Sequence, residues 1–517
     1  MKPIRLMSGF LTVGMWTMAS RVLGFVRDAM ILAFLGTGPL YEAYVVAFRL
    51  PNMFRRFFAE GAFNMAFVPM FSRKLEKEED AHNNAQGFAQ DAFAGLATIL
   101  IILTLVAQAA MPWLIYGLAS GFAGQEQFDL SVDFGRIAFP YILFISLAAL
   151  LSGMLNATGR FAAAAAAPVL LNILLVSSMA LAAATGANVA NALVWMIPVA
   201  GIAQLALVWV AAKRAGFSLR ISRPRWTPDM ALLVKTAIPA ALAGGVIQIN
   251  LLVGQQVASH FDHAVGWLYA ADRLYQLPLG VVGIAIGVVL LPDLSRRLAA
   301  DDHSGARHAF SRAGEISLAL TIPSAVALVV IPLPLVAVLF QRGALTASDS
   351  AAIASAVAIY GLGLPAFVLQ KILQPQFFAR GDTKSPFRYA LVAMVINAVL
   401  AAGLIPWLGW LAPAWATTIA AWAMAALLAR GTRPFGDTAS FDTRFRSRIW
   451  RIVIAALIMG AALFVIAYFL DPLLNMPGWR YLALAGLVIV GIAIFFGVGQ
   501  LIGATKLSEF RQAAKRG

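Results

Sequence analysis

Long apolar runs recur along almost the whole chain and are separated by short polar segments. Each run has about 20 residues or more, which is the length that a helix needs to cross a bilayer. The runs lie at residues 6–35, 40–70, 88–112, 132–156, 162–184, 190–212, 230–258, 264–292, 312–338, 350–378, 386–407, 410–429, 448–470 and 479–503. The pattern predicts an all-α polytopic membrane protein with about 14 transmembrane helices.

The composition agrees with this pattern. The chain has 517 residues, of which 61% are hydrophobic and only 12% are charged, and its mean hydropathy is +0.81. The first apolar run, from Leu6, is long and has no small-residue cleavage site, so we expect no cleavable signal peptide. Because the chain has no Cys, disulfides, thiolate metal sites and cysteine nucleophiles are excluded.

The net charge of +15 is a topology signal more than a nucleic-acid signal. Alternate loops carry the basic residues, and the loops between them are nearly bare, with Arg342 and Arg480 as exceptions. By the positive-inside rule, both termini should be cytoplasmic. No soluble basic domain exists, so we expect membrane lipids as partners and no nucleic acid. The basic loops hold Arg73, Lys74, Lys77, Arg160, Lys213, Arg214, Arg223, Arg225, Arg296, Arg297, Arg307, Arg380, Lys384, Arg388, Arg430, Arg433, Arg444, Arg446 and Arg448.

Two pairs of segments indicate an internal duplication. Ala47–Leu75 and Ala270–Leu298 share Arg-Leu near the start and Pro-x-x-Ser-Arg-x-Leu at the end. A second pair, Pro140–Asn172 and Pro365–Asn397, follows the first pair in the same order along the chain, and its two members are separated by a similar number of residues. Both offsets lie near 224 residues, which leaves room for six spans in each repeat.

The duplication predicts two parallel six-helix lobes. They should comprise residues 1–225 and 226–435, and residues 436–517 should add two further transmembrane helices and a cytoplasmic tail. Parallel repeats of this kind are typical of transporters, in which the substrate binds between the repeats near the bilayer midplane.

Several charged side chains interrupt the apolar runs. An arginine at the centre of a membrane helix costs roughly 2.5–3.5 kcal/mol, so such residues usually face a wet cavity or a polar partner. On an ideal helix Glu42, Arg49, Arg56 and Glu60 fall within about 40° of one stripe. Arg21 and Arg27 are about 120° apart, and Gly24 between them permits a break. The candidate binding residues are Arg21, Arg27, Arg49, Arg55, Arg56 and Arg273, with Asp28, Glu42, Asn52, Glu60 and Asp272 as supporting acidic and polar residues.

Two interpretations of these charges are open. The carboxylates could pair with the arginines and hold the lobes together, although Asp272 and Arg273 are adjacent and should not face each other. Alternatively, the surplus of arginines lines a cavity for an anion, and the planar guanidinium suits a diphosphate. The polar residues of the seventh span, among them Gln255 and Gln256, fit a cavity wall or hydrogen bonds between helices. A metal site is also a candidate at the loop residues His260, Asp262 and His263. Its signal is weak, so no metal is assigned to it.

Three motifs resemble the MurJ (MviN) family of the MOP exporter superfamily. They are SRVLGFVRD (Ser20–Asp28), FRLPNMFRRFFAEGAFNMAFVP (Phe48–Pro69) and YAADRLYQLPLGVVGIAIGVVLLP (Tyr269–Pro292). The resemblance implies a flippase in the bacterial inner membrane that moves lipid II, an undecaprenyl-diphosphate-linked peptidoglycan precursor, from the cytoplasmic to the periplasmic leaflet by alternating access.

The resemblance also assigns residues and partners. The family's essential arginines fall on Arg21, Arg27, Arg56 or its neighbour Arg55, and Arg273. Arg21, Arg27 and Arg273 are expected to bind the diphosphate together. The two C-terminal helices would hold the lipid tail. No cofactor is implied beyond coupling to a monovalent cation or to the membrane potential, since some members bind sodium. Lipid II is the implied substrate, and cell-wall synthesis proteins are candidate partners.

Other classes remain as alternatives. A flippase for another polyprenyl-diphosphate-linked oligosaccharide fits the same physics. A cation-coupled drug antiporter of the superfamily should have an acidic cavity, and the arginine excess argues against it. A glycosyltransferase should show paired carboxylates, whereas Glu126, Asp129, Asp262 and Asp471 are scattered. No Gly-x-Ser-x-Gly, Walker or His-Glu-x-x-His motif is present, so we expect a transporter and not an enzyme.

Overall fold

The computed structural model describes residues 6–55, 62–77, 81–220 and 222–504. Within them, side chains are described except at 6–12, 54–55, 62–63, 65, 77, 81, 239–251 and 281–289. These residues form α-helices joined by short turns and contain no strand, which confirms the predicted all-α class. The helices are α1 Leu6–Leu35, α2 Pro39–Arg55, α3 Ala62–Lys77, α4 Ala81–Leu118, α5 Glu126–Ala138, α6 Tyr141–Ala157, α7 Ala162–Thr185, α8 Val189–Arg214, α9 Pro228–Ala258, α10 Ala264–Ala299, α11 His303–Val330, α12 Pro332–Phe340, α13 Ala347–Phe378, α14 Lys384–Gly403, α15 Ile405–Leu408, α16 Ala412–Gly431, α17 Thr443–Leu474 and α18 Trp479–Leu501.

Most helices begin and end close to the limits of the apolar runs. In the described part of the chain, ten helical segments are long and apolar enough to cross a membrane by length and composition. The exact count of fourteen spans stays a prediction. The agreement arises because a buried or lipid-facing helix of this length must be apolar over its whole membrane-crossing stretch.

Two apolar runs that look continuous contain breaks. The run at 132–156 is divided between α5 and α6 at Phe139 and Pro140. The run at 312–338 is divided between α11 and α12 at Ile331, directly before Pro332. Proline lacks the N–H that would continue the helix, and it is favoured in the first turn of a new one.

The predicted second span, 40–70, corresponds to two helices. α2 runs through Pro51 to Arg55, and α3 begins at Ala62. Arg56 and Glu60, which the sequence placed on the charged stripe, lie outside the described residues. The side chain of Arg55 also lies outside them.

The chain divides into two compact units, Met1–Gly266 and Trp267–Gly517. In the first unit α1 packs on α7, α7 and α6 pack on α8, α2 packs on α5, and α3 packs on α9. In the second unit α13 packs on α11 and α16, α14 packs on α16, and α17 packs on α18 and α11. The lobe boundaries at residues 225 and 435 stay predictions.

One face of α4 holds the extended chain that leads from α8 to α9. His82, Gln86 and Gln90 are spaced by four residues, so they form a row along the helix. Their side chains hydrogen-bond alternate residues of segment 216–222, and the ring of His82 stacks on Phe217 at 4.9 Å. The contacts join His82 Nε2 to the Gly216 carbonyl at 3.2 Å, Gln86 Nε2 to the Ser218 carbonyl at 3.2 Å, and the Arg220 N–H to Gln90 Oε1 at 2.6 Å.

A cluster of charges joins α17 to α11. Asp442, at the N-cap of α17, accepts from the Phe445 N–H at 2.7 Å and from Arg312 Nη2 at 2.6 Å. Burial acts to raise the pKa of Asp442, but the hydrogen bond from the Phe445 N–H and the contact with Arg312 outweigh it, so this pKa lies below its usual value. Glu315, which is buried, binds Arg312 and Arg448 in the same cluster.

Candidate functional site

Arg27 contacts Asp28 and Asn172 in the first unit. Its Nε and Nη2 donate to one oxygen of Asp28 at 3.0 and 2.7 Å, and its Nη1 donates to Asn172 Oδ1 at 2.9 Å. The side chains of Arg27 and Asp28 are only 12% and 13% exposed. Neighbouring residues on a helix point about 100° apart, so the long arginine side chain bends towards its neighbour to make this pair. Arg27 therefore forms an ion pair with Asp28 and a hydrogen bond with Asn172.

Asn172 brings α7 into this site. It is 5% exposed, and its Nδ2 donates to the backbone carbonyl of Ser20 on α1 at 3.0 Å. The candidate residues predicted from the sequence do not include Asn172. The available signal was its place in the duplication, where a polar residue recurs within an apolar run at Asn172 and Asn397.

α1 runs unbroken from Leu6 to Leu35, so the break permitted at Gly24 does not occur. Arg21 is partly exposed on the same helix. A Cβ on Gly24 would lie 3.6 Å from Asn172 Nδ2, an ordinary contact distance. Gly24 thus lies where α7 approaches α1 and leaves room for the Asn172 amide.

Glu42 caps a helix and does not pair with an arginine among the described residues. It is 1% exposed in the first turn of α2, and its Oε1 accepts from the backbone N–H of Val265 at 3.2 Å. Since α10 begins at Ala264, this N–H belongs to the first turn, where no intrahelical acceptor exists. A carboxylate is favourable there because the start of a helix is electropositive.

The turn before α10 contacts the α1–α2 connection at further points. His263 Nδ1 lies 3.0 Å from the Thr37 carbonyl and 3.3 Å from its hydroxyl. A Cβ on Gly266 would lie 3.0 Å from the Tyr41 ring and 3.2 Å from the Thr37 carbonyl. His263, one of the residues of the weak metal candidate, is therefore within hydrogen-bond distance of Thr37 in this structure.

The polar end of α9 forms hydrogen bonds with the end of α4 and the short 3-10 helix Ser120–Phe122. Gln256 Oε1 accepts from the Ser120 N–H at 3.0 Å, and Ser259 Oγ accepts from the Gly121 N–H at 3.1 Å. Gln255 Nε2 donates to the Leu118 carbonyl at 3.3 Å. For Gln255 and Gln256 the structure thus shows hydrogen bonds between helices, which is one of the two roles that the sequence left open.

The opposite end of α9 is tied by an ion pair. Lys74 Nζ on α3 lies 3.0 Å from Asp229 Oδ2 in the first turn of α9. α9 is therefore joined to other helices of the first unit at both of its ends.

In the second unit, Arg273 on α10 is oriented by an aromatic residue. Its guanidinium lies over the Tyr269 ring, 4.4 Å from the centroid, and donates to the Tyr269 hydroxyl. Asp272 accepts from Gln276. Each contact spans four residues on one helical face, and Asp272 and Arg273 point to different partners as expected.

The remaining described candidates lie on α2. Arg49 and Asn52 are both partly buried. The predicted stripe can thus be followed at Glu42 and Arg49 only, and the two differ in burial. Glu42 is buried and accepts a hydrogen bond from the first turn of α10, whereas Arg49 keeps part of its surface exposed.

Comparison with known proteins gives consistent matches. The family model described as lipid II flippase MurJ matches residues 31–481. A curated relative from Rhizobium meliloti (strain 1021), named as a probable lipid II flippase MurJ, is 44% identical over 522 residues, which cover 99% of this chain and 97% of the relative.

Solved structures show the same fold. A lipid II flippase MurJ in an inward closed conformation matches with a TM-score of 0.79 at 22% identity, over 95% of this chain and 98% of that one. An inward-facing multidrug resistance MATE family transporter of the MOP superfamily matches with a TM-score of 0.68 at 15% identity, over 84% of this chain and 95% of that one. At these identities the likeness concerns the fold alone.

Proposed function

We propose, because the chain belongs to the family of the lipid II flippase MurJ, that it carries lipid II from the cytoplasmic to the periplasmic leaflet of the bacterial inner membrane. It is a multi-pass membrane transporter and not an enzyme. We also propose that both termini lie in the cytoplasm, which the distribution of basic loops supports through the positive-inside rule.

The observation that carries this proposal is the guanidinium of Arg27, held at a fixed orientation inside an apolar helix. A membrane-embedded arginine is costly unless it serves a polar partner or a ligand. Here Asp28 and Asn172 fix one part of the guanidinium. Arginine binds phosphate with two parallel hydrogen bonds, so a fixed guanidinium is suited to a diphosphate.

The arginines within the membrane helices serve the negative head group in this proposal. Arg21 and Arg27 contribute from α1, Arg49 contributes from α2, and Arg273 contributes from α10. Lipid II carries a diphosphate and peptide carboxylates, which a cationic lining complements. If the protein exposes the bound head group first to one side of the membrane and then to the other, the head group need not cross about 30 Å of hydrocarbon.

The chain supplies no ATPase motif, so net movement draws on another source. The membrane potential, a monovalent cation gradient or consumption of lipid II on the outer side can each provide it. No other cofactor is part of the proposal. Cell-wall synthesis proteins are proposed as partners because they would use the exported precursor.

Competition binding tests the proposal on the purified full-length protein. We expect lipid II to bind, unlabelled lipid II to compete, and undecaprenyl monophosphate to compete poorly because it lacks the diphosphate. Arg27→Ala should weaken lipid II binding by at least tenfold. Ser178→Ala is the matched control, since buried Ser178 on α7 bonds only within its own helix.

The alternatives give different results in the same assay. Preferential binding of another diphosphate-linked oligosaccharide would replace lipid II as the substrate. Tight binding of a cationic drug with none of lipid II would assign the chain to the antiporter class, and the proposal would be wrong.

A further inference from the structure

We propose that Asn172 is a positioning residue for Arg27, which sets the direction in which the guanidinium meets the substrate diphosphate. This inference rests on the proposed function. It assigns a role to an α7 side chain that is buried and remote in sequence from the arginines.

Both ends of the Asn172 amide are used. Oδ1 accepts from Arg27 Nη1 at 2.9 Å, and Nδ2 donates to the Ser20 carbonyl at 3.0 Å. Nδ2 also lies 3.4 Å from the Ser20 hydroxyl. Because an amide has a donor end and an acceptor end, these contacts fix which end faces the guanidinium. One α7 side chain is thereby bonded to the α1 backbone and to an arginine further along α1.

The direction of helical side chains explains the meeting point. Side chains on a helix lean towards its N-terminus, so Arg27 reaches back over the turn that contains Gly24. Gly24 has no side chain, and a Cβ there would lie 3.6 Å from Asn172 Nδ2. The amide therefore fits against α1 between Ser20 and Arg27.

The contacts define the guanidinium plane. A guanidinium has five N–H groups in a rigid plane. Nε and Nη2 each donate to Asp28, and Nη1 donates to Asn172. Because Nε and Nη2 share one carboxylate oxygen of Asp28, the hydrogen bond to Asn172 on another helix adds a second point that restricts the plane of the guanidinium.

A purely structural role is the alternative, because asparagine also joins helices in membranes by hydrogen bonds. The two roles differ in what they require of residue 27. A positioning role depends on the planar fork of arginine. A structural role would be equally important with lysine at that position.

A double-mutant cycle on the full-length protein separates them. Lipid II affinity and melting temperature are measured for the wild type, Asn172→Leu, Arg27→Lys and the double variant. We expect Asn172→Leu to weaken affinity about tenfold in the Arg27 background, and less than threefold in the Arg27→Lys background. Ser178→Ala, a change at a buried polar residue of the same helix, should change neither quantity.

Each result decides the question. Equal losses in both backgrounds, or no loss with Arg27 present, would overturn the positioning role while the proposed function stands. If the wild type itself fails to bind lipid II, the proposed function and this inference both fall. Should Asn172→Leu lower the melting temperature, Asn172→Ala repeats the cycle without added bulk.

Discussion

The carboxylate of Glu42 and the backbone N–H of Val265 form a hydrogen bond of 3.2 Å across 223 residues of sequence. The bond joins the first turn of α2 to the first turn of α10. Glu42 is buried, so water cannot replace the lost acceptor if the bond is broken.

Truncating this carboxylate should destabilise the protein. We expect Glu42→Ala to lower the free energy of unfolding by about 1–2 kcal/mol, since it leaves a buried helix-terminal N–H without its acceptor. Glu42→Gln keeps an oxygen acceptor and should lose less. Thermal unfolding of the detergent-solubilised protein measures both. Equal stability of wild type and Glu42→Ala would contradict the capping role.

Gly121 is required by a close approach of two backbone segments. A Cβ there would lie 2.3 Å from the Ser259 carbonyl oxygen, closer than real contacts allow. Gly121→Ala should therefore separate the Ser120–Phe122 turn from the end of α9 and lower the melting temperature. Gly117→Ala, on α4 with open space around it, is the control and should be neutral or slightly stabilising. A similar small effect at both glycines would show that the approach is not needed.

The row of polar residues on α4 should protect the connection between α8 and α9. Gln90 both accepts from the Arg220 N–H and donates to Ser222 Oγ. We expect Gln90→Leu to speed amide hydrogen exchange at Arg220 about tenfold or more by removing this acceptor. Gln108→Leu, which breaks a contact with the Arg136 carbonyl instead, should leave that exchange unchanged. Unaltered exchange in Gln90→Leu would show that Gln90 does not protect this connection.

The charge cluster that joins α17 to α11 should weaken in acid. The pKa of Asp442 is lowered in the folded protein: burial alone would raise it, but the Phe445 N–H and Arg312 more than offset that. A lowered folded pKa stabilises the protein above the unfolded value of about 3.9, and this contribution is lost as pH falls through the folded pKa. Asp442→Asn keeps an N-cap acceptor but removes the titration.

We therefore expect Asp442→Asn to lose less stability than the wild type between about pH 5 and pH 2. Melting temperatures across that range measure the difference. Asp437→Asn changes an exposed carboxyl nearby and should follow the wild-type curve. Parallel curves for wild type and Asp442→Asn would show that this carboxylate contributes no acid sensitivity.

The sequence predicts the helices well and the contacts poorly, for a physical reason. Helix limits follow from local hydropathy, so α1 ends at the residue where its apolar run ends and α18 begins at the residue where its apolar run begins. The break at Ile331 lies between two apolar stretches and leaves no polar signal. The cap at Glu42 and the Asn172 bridge join residues that are 223 and 145 positions apart, which no local pattern can pair.

The charged residues of the membrane helices could likewise be located from the sequence, but their partners could not. Intramembrane arginines were identifiable because each one violates the hydropathy of its run. Their partners were not, since Asp28 and Glu42 look alike in sequence while one pairs with Arg27 and the other caps α10. Only the packing of helices distinguishes them.

Lipid II sidedness in cells depleted of this protein tests the central claim most directly. A membrane-impermeant probe reports how much precursor reaches the outer leaflet. We expect outer exposure to collapse while total precursor accumulates, with rescue by the wild-type chain and none by membrane-inserted Arg27→Ala. Unchanged exposure in depleted cells that lack any other lipid II flippase, or full rescue by Arg27→Ala, would contradict the account.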